Sequence, residues 1–311
     1  MTETIFHSHA NGKLLLTGEY LVLRGATALA MPLKKGQSLS IEKREPSGHP
    51  YISWFAYAPD KLWFKTTLEL PSLDIIGTDD RPKSAKLQLI LLTLKQLNPN
   101  LFDGSAGYKI VTRLDFEPQW GLGSSSTLVS NLARWAKIDP YTLLNFSIGG
   151  SGYDVACATA TKSILYKVNT LRPQIKPANF EPIFSPLLYF VYQGKKQDST
   201  QGIAAFNAQT EGRSLDMLIE RVSEISHEAA STDNFDHFCA LMDEHEQLMS
   251  GVLLAPVIKS QYPDFEGSIK SLGAWGGDFM LVMSSKGPEY IRHYFAKHSL
   301  TDIFAYHDLV K

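Results

Sequence analysis

The residues best able to do chemistry in this chain are a glycine- and serine-rich run, Gly121-Leu122-Gly123-Ser124-Ser125-Ser126, an early lysine, Lys13, and an aspartate two places behind a glycine, Asp154. The run follows an alternating stretch, 108–116, that reads as a strand. It precedes residues 127–136, whose apolar spacing reads as a helix. A glycine-serine turn that opens a helix presents N–H groups with no intrahelical acceptor and the positive end of the helix dipole. That is an anion site, and phosphate is the usual anion. A ligand-free helix cap carries the same signature, so the turn alone leaves both readings open.

Other glycine motifs fit less well. A dinucleotide fingerprint would need glycine at Ser126, and a P-loop would need a lysine that the run lacks. The hydrolase elbow would put a glycine in the nucleophile slot.

Composition narrows the class. The chain has 311 residues, enough for about two ordinary domains, and is 44% hydrophobic and 20% charged, as expected of a folded protein with an ample core. A formal charge of -2 without long basic runs gives no reason to expect nucleic acid or an anionic membrane as partner. Two cysteines, Cys157 and Cys239, do not make a disulfide framework. Cys157, among small apolar residues, reads as a buried thiol. His227, His237 and His245 lie in charge-rich helical patterns and read as solvated. No apolar run reaches membrane-spanning length, and no secretory leader is visible, so a cytoplasmic protein is the expectation.

The elements that must position these residues follow from periodicity. Strands are predicted at 13–23, 38–45, 163–168, 187–192 and 279–283. An aromatic-rich hairpin is predicted over 51–70, turning at Pro59-Asp60, with its aromatics as sheet core. Helices are predicted at 84–97, capped by Ser84, at 202–230, 234–254 and 255–272, and at 288–298. Residues 149–154 read as a turn-rich loop. The prolines in 170–186 read as a connection between domains. This mixture argues for α+β. The domain boundaries expected are 1–172, a connection at 173–186, and 187–311.

Four segments occur in a telling order: Asn11-Gly12-Lys13 with Gly18-Glu19-Tyr20; the glycine-serine turn; Ser151-Gly152-Tyr153-Asp154; and Lys270-Ser271-Leu272-Gly273-Ala274-Trp275-Gly276-Gly277-Asp278. In this order they resemble the GHMP kinases, and most closely the mevalonate and phosphomevalonate kinase branch. The resemblance implies a two-lobed α+β GHMP kinase fold with the active site in the cleft between the lobes. It implies ATP and Mg²⁺ as cofactors and transfer of the γ-phosphoryl group to a hydroxyl or phosphate of a small anionic metabolite, mevalonate or phosphomevalonate first among them. It implies that Gly121 to Ser126 hold the ATP phosphates and that Ser125, joined by Ser124, offers a hydroxyl to the metal. Asp154 would be the general base, and Lys13 would keep it ionised and screen developing charge. Glu19, Tyr20, Gly152, Ser199, Thr200, Gly273, Ala274, Trp275 and Gly276 would meet the substrate. A monomer or homodimer is expected.

The chain departs from the family pattern in three places. Asn11 replaces the usual proline, and Trp275 replaces a glycine with Asp278 just beyond. Residues 136–150 lack the glutamate that helps hold Mg²⁺ in mevalonate kinases, and Asp139 is the only acid there. Either Asp139 or another carboxylate substitutes, or water does, or activity is lost. The last possibility would leave a nucleotide- or metabolite-binding protein on the same fold.

Overall fold

The computed structural model describes residues 2–45, 48–59, 61–169 and 172–311. The chain forms two compact units that interleave in sequence. The first comprises Met1–Gly12, Lys35–Pro118 and Gly123–Thr159; the second comprises Lys13–Lys34, Gln119–Leu122 and Ala160–Lys311. A single cut near 173–186 does not describe this division, and Asp60, Thr170 and Leu171 of the expected turn and connection lie outside the described residues.

In the first unit, strands β1 (Thr2–Leu15) and β2 (Ala28–Arg44) are followed by the hairpin β3 (Tyr51–Ala58) and β4 (Lys61–Glu69), and by β5 (Ile75–Thr78). Helix α1 (Arg81–Leu97), strand β6 (Gly107–Leu114) and helices α2 (Ser124–Ala136), α3 (Pro140–Ser147) and α4 (Tyr153–Thr159) complete it. The strands run in the order β5-β4-β3-β6-β2, antiparallel except for the parallel β3–β6 pair. One face of this sheet, including Leu39, Ile52 and Trp54, packs on Leu87, Ile90 and Leu94 of α1 and on Val129 and Leu132 of α2. Trp54 and Phe64 are therefore core, as their placement in strands implies.

The second unit takes in the end of β1 from Lys13 and the first residues of β2, which pair with β7 (Ile164–Lys167), itself paired with β8 (Gln174–Pro177). A second sheet follows from β9 (Leu188–Tyr192), β10 (Ser268–Ser271), β11 (Phe279–Met283) and β12 (Ile303–Ala305), ordered β10-β11-β9-β12 and antiparallel throughout. Every residue of β9 and β11 is buried, which explains their unbroken apolar sequence. Helices α5 (Ser199–Gln209), α6 (Asp216–Ala229) and α7 (Phe235–Leu253) accompany this sheet, with α8 (Pro288–Lys297) and α9 (Tyr306–Leu309) closing the chain. No helix among the described residues is long and apolar enough to cross a membrane.

Several predicted elements are corrected. The strand expected at 13–23 ends at Leu15, and the chain turns through Gly18 and Tyr20, both at positive φ, into a 3₁₀ turn at Leu21–Arg24. The helix expected at 202–230 is two helices with a loop around Gly212 between them. The helix expected at 255–272 does not form, because Pro256 and Pro263 interrupt it and β10 takes its end. Asp154 lies not in a loop but in the first turn of α4.

Helix α1 starts three residues earlier than predicted. Its N-cap is Asp80, whose side chain accepts from Lys83 N at 3.0 Å, while Ser84 is buried and shares a hydrogen bond with Thr78. Asp80→Ala is expected to lower stability by about 1 kcal/mol in urea unfolding. Ser84→Ala would match that loss only if Ser84 were the cap, whereas here it removes a single buried hydroxyl pair.

Candidate functional site

The glycine-serine turn is divided in sequence between the two units, Gln119–Leu122 falling in the second and Gly123 onward in the first. On the second unit, Trp120 lies against Tyr192, Phe279 and Phe304, one ring from each of β9, β11 and β12. The Tyr192 hydroxyl donates to Gln119 O at 3.1 Å. The buried Leu122 gives its carbonyl to Lys13 N at 3.0 Å, so the backbone of Lys13 is tied directly to the turn.

In the first unit, α2 begins on Gly123 at φ 96, a left-handed conformation that glycine adopts without strain. The first backbone bond into the helix is Thr127 N to Gly123 O at 3.0 Å. Among the described residues nothing accepts from the N–H groups of Ser124, Ser125 or Ser126, and no side chain caps the helix. Ser126 turns its hydroxyl back to Gly123 O at 2.9 Å, whereas the half-buried Ser125 makes no side-chain hydrogen bond with any described residue. The helix is fixed by Thr127, which donates to Gln37 Oε1, and by Asn131, which donates to Gln37 O and accepts from Ser8. The opening of α2 is thus rigidly mounted and uncapped, which is the arrangement an anion needs.

Asp154 accepts from Val155 N at 3.0 Å through Oδ1, and its second oxygen has no partner among the described residues. Asn11, found where proline was expected, donates to Cys157 O at 3.3 Å and so ties β1 to the helix carrying Asp154. Gly152, at φ 86, is buried just before that helix. Cys157 is a buried thiol, as read from sequence.

The final glycine segment brings a residue whose role went unread in the sequence. Asp278 sits at φ 56, and its carboxylate accepts from Gln197 N at 3.2 Å. A Cβ built on Gly121 would meet that carboxylate at 2.8 Å, and one on Gly273 would meet it at 3.3 Å. Burial pushes the Asp278 carboxyl above its usual range, opposed by the charges of Lys13 and Lys196. Lys13, Gly121, Leu122, Gly273, Ala274 and Asp278 therefore form one cluster within the second unit. The signal available in sequence was an acid directly after a glycine run.

Tyr20 is a partly buried residue that stacks on Phe206 of α5 at 5.5 Å. Its hydroxyl fills the space a side chain at Gly202 would need. Ser199 and Thr200 are exposed in the first turn of α5, capped by Asp198, while Gly276 is exposed on its loop. Glu19 differs from expectation. It is 1% exposed and gives Oε1 to Lys270 Nζ at 2.5 Å, so its carboxylate serves a buried ion pair and meets no solute.

That pair lies in a fully buried network with His245 and Glu246 of α7. Gly18 N donates to His245 Nε2 at 2.9 Å, and Glu246 accepts from Ile258 N, Ser271 N and the Ser271 hydroxyl. His245 is thus not solvated, unlike the exposed His227 and His237. It is a neutral acceptor, held well below its ordinary value by burial and by Lys270. Burial pushes Glu19 up to about 7 against the attraction of Lys270.

A metal would have to be held lightly by the protein. Among the described residues no three His, Cys, Asp or Glu side chains are grouped to hold one. Asp139 is engaged as the N-cap of α3, accepting from the N–H and hydroxyl of Thr142. Magnesium needs no dedicated cage, since phosphates, water and one or two protein oxygens suffice. The Ser125 hydroxyl and a single carboxylate fit that requirement.

No protein-family model matches the sequence, and no curated protein matches it. Solved structures do. The mevalonate kinase of L. major, crystallised with R-mevalonate, is 16% identical with a TM-score of 0.71, over 98% of this chain and 97% of that one. The Streptococcus pneumoniae phosphomevalonate kinase, with phosphomevalonate and AMPPNP, is 15% identical with a TM-score of 0.69, over 95% and 98%. The Lactococcus lactis galactokinase, with galactose, is 10% identical with a TM-score of 0.67, over 97% and 92%. The chain therefore has the GHMP kinase fold along nearly its whole length.

Two outcomes are expected. Gly121→Ala should lower stability by about 1–3 kcal/mol, from its φ of 70 and the contact with Asp278. In an Asp278→Gly background the loss should shrink by about 1 kcal/mol in a double-mutant cycle, and equal losses in both backgrounds would separate the two residues.

The second concerns pH. A histidine depressed in the folded state takes its proton more readily when unfolded. Its stabilising effect is therefore lost as pH falls below about 6.5, by at most about 1.4 kcal/mol per pH unit. Glu19, raised from 4.5 to about 7, acts in the opposite sense across that range. The destabilisation caused by His245→Gln should be largest near pH 7.5 and about 1–2 kcal/mol smaller at pH 5, measured by urea unfolding.

Proposed function

We propose that this chain is an ATP-dependent kinase that transfers the γ-phosphoryl group to a small anionic metabolite, with mevalonate and phosphomevalonate as the first acceptors to test. The observation that carries the reading is the uncapped, rigidly mounted start of α2, whose three free N–H groups match the needs of a phosphate chain. The fold supports it, because solved structures sharing it hold AMPPNP, phosphomevalonate, R-mevalonate or galactose.

Phosphoryl transfer asks mainly for positioning and charge stabilisation. In this reading Gly121 to Ser126 hold the phosphates, and Ser125 offers its hydroxyl to a magnesium ion whose chemistry is to neutralise phosphate charge. Asp154, with one oxygen unengaged, accepts the proton of an acceptor hydroxyl. For a phosphate acceptor no such proton need move, and orientation carries the catalysis. Lys13, tied by its backbone to Leu122, supplies positive charge to the transferring group. Tyr20, Gly152, Ser199, Thr200 and the 273–276 segment are the proposed acceptor contacts.

A second reading keeps nucleotide binding without transfer. It is favoured by the engagement of Asp139 as a helix cap, which removes the one acid of residues 136–150 from metal binding. The two readings separate in one experiment with ATP, Mg²⁺ and a panel of mevalonate-type acids and sugars. Acceptor-dependent ADP release is expected, falling about 10²–10⁴-fold in Asp154→Asn with a hydroxyl acceptor. A nucleotide-induced rise in melting temperature without ADP release would favour the binding protein. Absence of both would reject the two together.

A further inference from the structure

We infer that Asp278 is the protein carboxylate that shares the nucleotide's divalent cation, in the role left open between residues 136 and 150; the inference rests on the kinase reading above. Three observations in the second unit carry it.

The first is position. The Asp278 carboxylate lies against Gly121, the first glycine of the turn assigned to the phosphates, so close that a methyl group there would collide with it. A carboxylate beside phosphate oxygens is repelled unless a cation lies between them. Lys13 and Lys196 supply part of the positive charge this acid needs, and a divalent cation between carboxylate and phosphate would supply the rest.

The second is conformation. Asp278 is the non-glycine residue of this loop at positive φ, where Gly273 and Gly276 also lie and glycine would be unstrained. Its backbone is fixed where the central strands β9 and β11 of the second sheet end: its N–H donates to Lys195 O at 2.7 Å, and its carbonyl accepts from Gln193 N at 2.9 Å. The sheet thus aims this side chain at the turn.

The third is elimination among acids. Asp139 caps α3, Glu19 is buried on Lys270, and Glu246 is buried on Ser271 and Ile258. Asp154 belongs to proton acceptance in the proposed mechanism. Asp278 keeps its carboxylate partly exposed and anchored by the amide of Gln197. Burial raises its carboxyl above the usual range, the charges of Lys13 and Lys196 oppose that, and a bound cation would favour the ionised form further.

The test compares AMPPNP binding to the whole protein in EDTA and in saturating Mn²⁺, by calorimetry, with bound Mn²⁺ read by electron paramagnetic resonance. Asp278→Asn and Asp278→Gly are the variants. Both residues tolerate the left-handed backbone, so both proteins should fold, Asp278→Asn keeping an acceptor for Gln197 N and Asp278→Gly losing it.

In the wild type, Mn²⁺ should tighten AMPPNP by tenfold or more. In both variants AMPPNP should bind in EDTA at least as tightly as to wild type, because a repelling charge is gone. Most of the Mn²⁺ enhancement should be lost, with ternary Mn²⁺ affinity down about 10–100-fold. Full retention of the enhancement in either variant would overturn the assignment and leave the kinase reading intact. An equal loss of AMPPNP affinity in EDTA and in Mn²⁺ would assign Asp278 to building the turn, and would also overturn it. No AMPPNP binding by the wild type under either condition would remove the kinase reading itself.

Discussion

A helix that starts on a left-handed glycine with nothing to cap it leaves backbone N–H groups in need of an acceptor. Helix α2 starts this way, and much of the surrounding structure keeps it so. Gln37 and Ser8 hold its first two turns through Thr127 and Asn131, while Ser126 and Thr127 spend their hydroxyls on carbonyls and the Gln37 side chain. The segment leading into the turn is anchored by Trp120 on three strands of the second sheet. A site that must receive a polyanion gains most from donors that need not reorganise, and packing rather than ligand supplies that rigidity here.

The motif residues divide into two kinds of work. Glu19 and Lys270, from the first and last glycine-bearing segments, are consumed by each other in the interior, with His245 and Glu246 satisfying the neighbouring backbone. Removing one partner of such a pair leaves a buried charge uncompensated, a loss of about 3–5 kcal/mol, so these residues hold the loops in place and do not meet solutes. The Ser125 hydroxyl and one oxygen of Asp154, by contrast, make no side-chain hydrogen bond with any described residue.

What was legible in the sequence was local. The turn and α2 could be read because two glycines, three serines and an amphipathic run lie side by side, and β9 and β11 because both are continuous apolar blocks. What was not legible depended on pairings distant in sequence. His245 sits in a charge-rich helical pattern and reads as solvated, yet α7 presents it to Gly18. Asp278 reads as an oddity after a glycine run, and only the β9–β11 ladder brings it to Gly121. The order of motifs carried the fold, and TM-scores of 0.67–0.71 at 10–16% identity show how little sequence that fold needs.

The central claim is that three particular N–H groups await a phosphate chain. Amide hydrogen exchange of Ser124, Ser125 and Ser126, followed with and without AMPPNP, addresses it directly. The account predicts slowed exchange at these three amides when the nucleotide is bound, with the remainder of α2 little changed. AMPPNP binding that leaves all three exchanging at their free rates would contradict it.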